Sequence, residues 1–212
     1  MTKAPFIGIS RHRIGIDGNG VTTLAAFHGC PLRCRYCLNP QSLENEERCQ
    51  LLTPEELYQR LAIDNLYFIA TGGGVCFGGG EPLLRVEFIK EFRRLCGCDW
   101  KLTAETSLHV QPQNVEEAAT IIDDFIVDIK DTNPTIYRAY TGRDNYLPLT
   151  NLQRLIALKG EKHIIVRIPS IPHYNTPDDV ARSMEQIRSM GITRIDQFDY
   201  IIRNKKSETA SL

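Results

Sequence analysis

Apolar and polar positions alternate along the 212-residue chain in blocks of two different periods. Short runs rich in β-branched and small residues have the length of strands: Val21 to Phe27, Val75 to Phe77, Lys101 to Glu105, Phe125 to Ile129, His163 to Ile168 and Arg194 to Tyr200. Between them, apolar residues recur at helical spacing. Leu57 and Leu61 form one such stripe, Phe88, Phe92 and Leu95 a second, and Val180, Met184 and Ile187 a third. Two further helices are read over Val115 to Ile122, opened by Pro112, and over Leu149 to Leu158. Thr53-Pro54-Glu55-Glu56 is a capping box with proline at the first helical position, and it predicts a helix to about Phe68. Thr176-Pro177-Asp178-Asp179 starts another helix, with Gly191 as its stop.

Six strand–helix units in succession imply a parallel sheet with helices outside. A closed eight-unit barrel takes about 250 residues, so the expectation is α/β, an open partial (β/α)6 barrel. It forms one domain over residues 1–202, with residues 203–212 as a polar, disordered tail. Phe6 to Ile16 reads as an edge strand or hairpin, Gly18-Asn19-Gly20 as a tight turn, and the stretch from Thr132 to Gly142 as looser chain.

Composition narrows the class. At 42% hydrophobic, 24% charged and net charge −1, the chain shows no global attraction to nucleic acid or anionic membrane. No apolar run approaches the length of a membrane span, and no apolar signal segment follows the N-terminal lysine. The default is a cytoplasmic protein, in which seven cysteines read as metal or redox chemistry before disulfides.

The cysteines have a pattern. Cys30, Cys34 and Cys37 stand at C-x3-C-x2-C, directly after the first strand. Closely spaced thiolates are the usual ligands of iron–sulfur clusters, and a four-iron cubane normally takes four. Three leave one iron open to a small molecule. The alternative is a structural zinc site completed by His28 or Cys49, although the second ligand pair typical of such sites is missing.

Other unusual residues fall at the C-terminal ends of later strands, where barrel enzymes keep their sites. Gly78-Gly79-Gly80-Glu81-Pro82 follows the second strand and exposes backbone at close range, or is a plain turn. Glu105-Thr106 ends the third strand and Asp128-Ile129-Lys130 the fourth. There an acid must be paired, and a salt bridge to Lys130 or a helix cap is the plain reading. Arg167 interrupts the apolar fifth strand and needs a carboxylate or phosphate, an internal ion pair being the plain reading.

Taken with Tyr36 before the third cysteine, Asp17-Gly18-Asn19-Gly20, Phe27-His28-Gly29 and Leu38-Asn39-Pro40, the motif resembles the radical S-adenosylmethionine (SAM) enzymes. More narrowly, it resembles the glycyl-radical-enzyme activases such as pyruvate formate-lyase activating enzyme. The resemblance implies a [4Fe–4S] cluster on Cys30, Cys34 and Cys37, its fourth iron chelated by SAM. It carries Tyr36, Gly79, Gly80, Glu81, Glu105, Thr106, Asp128, Lys130 and Arg167 over as cofactor-binding residues, with a monovalent cation (Na or K) held by the acids. It implies a glycyl radical enzyme as protein substrate, a reduced flavodoxin or ferredoxin as electron donor, and no catalytic side chain beyond the cluster ligands. It places the Asp17–Gly20 turn where the partner's loop enters. The strand-six histidine of the family is absent; Asp199 and Tyr200 are the candidates to replace it, and the ribose contacts of SAM are left unassigned. Cys49, Cys76, Cys96 and Cys98 read as buried free thiols. The rivals are a radical SAM enzyme acting on a peptide or small molecule, and a non-catalytic iron–sulfur or zinc protein that binds a partner.

Overall fold

The computed structural model describes residues 2–200 and 202. Among the described residues, eight strands form one sheet. In chain order they are β1 (Ala4–Ile14), β2 (Val21–Phe27), β3 (Gln50–Leu52), β4 (Gly74–Gly79), β5 (Lys101–Thr106), β6 (Asp124–Asp128), β7 (Ile164–Ser170) and β8 (Ile195–Asp199). Their spatial order is β3-β1-β2-β4-β5-β6-β7-β8. From β2 to β8 the neighbours are all parallel, which is the six-stranded open barrel expected from the alternating units. The hairpin β1–β2 and the short β3 add an antiparallel margin on one side. The described residues include no helix long and apolar enough to cross a membrane. The polar tail at 203–212 lies outside the described residues.

The helices are α1 (Pro54–Leu61), α2 (Asn65–Thr71), α3 (Val86–Cys96), α4 (Pro112–Ile121), α5 (Pro134–Thr141), α6 (Tyr146–Lys159) and α7 (Pro177–Ser189). Both expected capping boxes form: Thr53 caps α1 with Glu56, and Thr176 caps α7 with Asp179. Buried apolar residues of the helices meet the outer face of the sheet. Phe68, Phe88, Phe92 and Trp100 close over Phe27 and Phe77 in one aromatic cluster.

Three readings of the sequence need correction. The helix begun at Thr53 does not run unbroken to Phe68; it tightens into a 3₁₀ turn at Ala62–Asp64. That turn carries Asp64 into the core, where Thr23 Oγ1 donates to it at 3.0 Å and Arg11 at 3.1 Å. The stretch read as loose holds α5, capped by the Asn133 side chain, opened by Pro134 and closed by left-handed Gly142. And Cys98 is exposed and Cys49 half-buried, so only Cys76 and Cys96 of the four spare thiols are buried.

Candidate active site

One cavity of about 520 Å³ opens at the C-terminal ends of the parallel strands. Its walls carry Cys30, Cys34 and Cys37 from the loop after β2, Gly79, Gly80 and Glu81 from the turn after β4, and Glu105 and Thr106 from β5. Asp128, Lys130 and Arg167 complete it from β6 and β7. Of the nine residues that the resemblance carried over as cofactor-binding, Tyr36 alone is not in the lining. Its ring packs in a cluster with Tyr140, Tyr174 and Tyr200, and Tyr200 donates to its carbonyl at 2.6 Å.

The cysteine loop is built by its neighbours. Gly80 N–H donates to Phe27 O at 2.9 Å and Glu81 N–H to Gly29 O at 2.8 Å, clamping the turn after β4 onto the start of the loop. A side chain at Gly80 would place its Cβ 2.2 Å from Gly29 O, so only glycine lets the two segments meet. On the far side α5 takes hold: Arg33 N–H donates to Thr141 O at 2.9 Å and Arg35 N–H to Tyr140 O at 3.1 Å.

The acids are all engaged. Glu81 is buried and accepts from Thr106 Oγ1 at 2.6 Å, Ser107 N–H at 2.9 Å, Ser107 Oγ at 2.7 Å and Leu83 N–H at 3.2 Å. Its carboxylate thus braces the turn after β4 against the end of β5. Burial raises its pKa, against the pull of those donors. Glu105 pairs with Arg167 at 2.5 Å, and Arg167 also meets Asp196 at 3.3 Å and donates to Ile16 O at 2.6 Å. Asp128 pairs with Lys130 at 3.0 Å. Each of the two acids that the resemblance gives to a monovalent cation therefore already faces a cationic side chain. Burial works against the Lys130 ammonium, but Asp128 outweighs it and raises its pKa.

Two of the thiols are pushed toward the neutral form. Burial, then the Glu81 carboxylate, pushes Cys30 up to about 12. Burial pushes Cys34 up to about 11 although Lys130 opposes it. No three His, Cys, Asp or Glu donors among the described residues converge on a single metal-ion position. A mononuclear zinc site needs four ligands about one bond length, near 2.3 Å for sulfur, from one point. A four-iron cluster takes each thiolate on a different iron, and three thiols spread around one cavity wall fit that demand. The cavity beside them, walled by backbone and by charges of both signs, suits a zwitterionic ligand such as SAM.

Sequence reading missed part of the lining. Arg13 and Ile16 reach in from the β1–β2 hairpin, and Asp196 and Phe198 line the β8 side beside Tyr200, which the sequence had offered for the ribose. Asp199 does not, although it was the other candidate for the ribose. The period of two along a strand separates 196, 198 and 200 from 197 and 199, and it was available in the sequence. Ile16, just before the Asp17–Gly20 turn, lines the cavity and its carbonyl accepts from Arg167 at 2.6 Å; Gly20, at the turn's end, stands elsewhere. A Cβ at Gly20 would meet Thr71 O at 2.6 Å and Gly73 N at 2.8 Å, at the start of β4. That is the other end of the sheet from the cysteine loop. Asp17 is buried under Arg13, whose Nη2 donates to it at 2.8 Å.

Comparison with known proteins gives this arrangement a setting. The family model of the Radical SAM superfamily matches residues 25–196. The pyruvate formate-lyase-activating enzyme of Clostridium pasteurianum is 38% identical over 128 residues, 60% of this chain and 53% of that protein. The (2S)-3-sulfopropanediol dehydratase activating enzyme of Klebsiella oxytoca is 29% identical, over 75% of this chain and 69% of that protein. The pyruvate formate-lyase 1-activating enzyme of Escherichia coli K12 is 27% identical, over 87% and 76%. The chain thus spans about half the length of the Clostridium relative. Among solved structures, Streptococcus suis SuiB bound to precursor peptide SuiA superposes with a TM-score of 0.65 over 84% of this chain and 38% of that one. At 16% identity that likeness is one of fold.

Proposed function

The chain belongs to the radical SAM superfamily, an enzyme family whose cofactors are a [4Fe–4S] cluster and SAM, and from that premise we propose that it activates a glycyl radical enzyme. The observation that carries the proposal is one cavity wall that joins the three thiols to Gly79, Gly80, Asp128 and Lys130, in a chain whose curated relatives named above are activases. Cys30, Cys34 and Cys37 would hold the cluster. Bound there, cluster and SAM would supply the chemistry, the one-electron reductive cleavage of SAM that gives methionine and the oxidising equivalent needed to take a hydrogen atom from a glycine of the partner.

The remaining work falls to this chain's own residues. The Gly79–Gly80 backbone would meet the amino group of SAM, and Lys130 and Arg167 its carboxylate side, with Glu105 and Asp128 fixing both cations. Thr106 and Glu81 keep the turn after β4 at its distance from β5. With Glu105 and Asp128 so paired, a monovalent cation would have to displace Arg167 or Lys130, or bind beside them.

The electron donor in this reading is a reduced flavodoxin or ferredoxin. Arg33, Arg35, Arg138 and Arg143 support it. They are exposed on the cysteine loop and the adjoining end of α5, and none makes an ion pair among the described residues. Such a basic rim attracts an acidic protein by long-range steering. We place the activity in the cytoplasm, where the seven free thiols stay reduced.

The test is direct. Anaerobically reconstituted protein, given SAM and a reductant, should produce 5′-deoxyadenosine, and with a purified glycyl radical enzyme it should produce the glycyl radical doublet in electron paramagnetic resonance. Cys30→Ala, Cys34→Ala or Cys37→Ala should abolish both, and Cys49→Ala neither. Deoxyadenosine without any doublet, across several glycyl radical enzymes, would leave a radical SAM enzyme of another substrate class. No deoxyadenosine at all would refute the enzyme reading.

A further inference from the structure

Tyr137 has a buried hydroxyl with nothing to bond. Its side chain has 0% exposure, and the phenolic oxygen finds no hydrogen-bond partner among the described residues. Native structures rarely leave such a group unpaired, and an exception calls for a ligand, a water or a role.

Its place in the fold supplies the role. Tyr137 lies on α5, the helix that carries the cysteine loop through Arg33 N–H to Thr141 O and Arg35 N–H to Tyr140 O. Cys34 stands between those two arginines. Tyr137 sits three and four residues before Tyr140 and Thr141, on the same face of the helix. The phenol is held neutral first by burial, and the polar side chains around it include Cys34, Lys130, Glu81 and Cys30. All four of those residues line the cavity.

We propose that the Tyr137 hydroxyl is a positioning group for the iron–sulfur cluster, donating a hydrogen bond to the sulfurs at the Cys34 corner. The proposal rests on the reading that Cys34 is a cluster ligand. As a neutral thiol Cys34 asks for no donor, which leaves the hydroxyl idle. As a ligand it is a buried thiolate, and buried negative charge is tolerated only when hydrogen-bonded or paired. Lys130 provides one compensating group and Tyr137 the second. Hydrogen bonds to cluster sulfurs set the reduction potential. They favour the reduced state, because it carries one more negative charge. Tyr137 therefore makes the cluster easier to reduce.

The experiment is Tyr137→Phe, read without turnover. The reconstituted variant should keep about four irons. At a fixed potential its reduced-to-oxidised ratio should fall about tenfold, a midpoint about 59 mV more negative for a one-electron couple. The apo variant should melt no lower than the wild type, because an unpaired hydroxyl is removed and no contact is lost. Tyr137→His, which keeps a ring donor, should recover part of the potential and serves as the second probe should the phenylalanine variant fail to fold. An unchanged midpoint with full iron would overturn the proposal, as would loss of iron from a folded Tyr137→Phe protein. A wild-type chain that takes up no cluster would overturn this inference together with the cluster reading. A loaded wild type with an indifferent Tyr137→Phe overturns this inference alone.

Discussion

Ser107 donates to the Glu81 carboxylate twice, through its backbone N–H at 2.9 Å and its hydroxyl at 2.7 Å. With Thr106 Oγ1 and Leu83 N–H, four donors converge on one buried side chain. The pairing ties the ends of β4 and β5 together across the floor of the cysteine loop. Thr106 Oγ1 is itself shared, for it accepts from Leu108 N–H at 2.9 Å and so steadies Leu108 at a φ of 56°.

Glu81→Ala would strand those donors, each a buried polar group costing about 1–3 kcal/mol when unpaired. The expected result is a loss of about 3 kcal/mol or more in chemical denaturation. SAM affinity should fall with it, because the glycine turn loses its brace. Ser107→Ala removes one donor hydroxyl and leaves the backbone bond, so it should cost about 1 kcal/mol. A Glu81→Ala protein as stable as wild type but unable to bind SAM would show that the carboxylate meets the ligand itself.

Much of the fold was legible because its logic is local. Apolar strands bounded by capping boxes announced the six parallel units, and polar residues ending those strands announced the cavity. What stayed hidden depends on partners distant in sequence. Gln50–Leu52 is a strand only because β1 lies beside it. The donors that brace Glu81 were hidden too, since nothing near residue 81 tells that Ser107 will face it. Arg167 and Glu105 were each recognised as needing a partner, and the fold makes them partners of one another across 62 residues. The miss at α5 is different: Asn133-Pro134 and Gly142 are good start and stop signals, and between them the buried positions are two tyrosines and a threonine rather than aliphatic residues.

Gly20 shows the same limit from the other side. Its nearness in sequence to the cysteines suggested a doorway for a partner's backbone, yet β2 carries it to the opposite end of the sheet. With φ at 70° and three backbone or side-chain atoms of Thr71 and Gly73 within 2.8 Å of a Cβ, Gly20→Ala must shift the hairpin or the start of β4. Destabilisation of about 1–3 kcal/mol is expected, measured by denaturation of the apo protein. Uncoupled SAM cleavage and radical transfer to a partner should then fall in parallel. Retained stability with selective loss of radical transfer would restore the turn to a recognition role.

The Glu105–Arg167 pair is four-fifths buried on both sides. It lies between the exposed pairs worth under 1 kcal/mol and the fully buried ones whose breakage costs about 3–5 kcal/mol. Arg167→Gln should therefore cost about 2 kcal/mol, and the double change Glu105→Gln with Arg167→Gln should recover a good part of it. The same variants probe cations. With Arg167 gone, the Glu105 carboxylate is free for sodium or potassium, so SAM binding in Arg167→Gln should become more responsive to added salt of either ion than in wild type. An additive double mutant would mean that Arg167 is held by Asp196 and the Ile16 carbonyl rather than by Glu105.

The apo thiols give a pH dependence whose sign is fixed. An unperturbed cysteine titrates near 8.5; in the folded apo protein burial moves Cys30 up to about 12 and Cys34 up to about 11. Between those values the unfolded chain has released protons that the folded chain still binds. The slope of unfolding free energy with pH follows protons bound in the unfolded minus the folded state, so it is negative there. The two thiols thus contribute stability that is fully present below about pH 8.5 and is lost as pH rises through about 11 to 12. Apo protein should lose melting temperature steadily above pH 9, and Cys30→Ala with Cys34→Ala should flatten that decline. Metal runs the other way. Ligation needs thiolates and expels their protons, so cluster uptake should release protons at neutral pH and tighten as pH rises toward 9. Alkylation gives the independent check: iodoacetamide at pH 7.5 should modify the exposed Cys98 well before Cys30 or Cys34. Rapid labelling of Cys34 in folded apo protein at that pH would show a thiolate already formed beside Lys130, and the predicted alkaline loss of stability would then be absent.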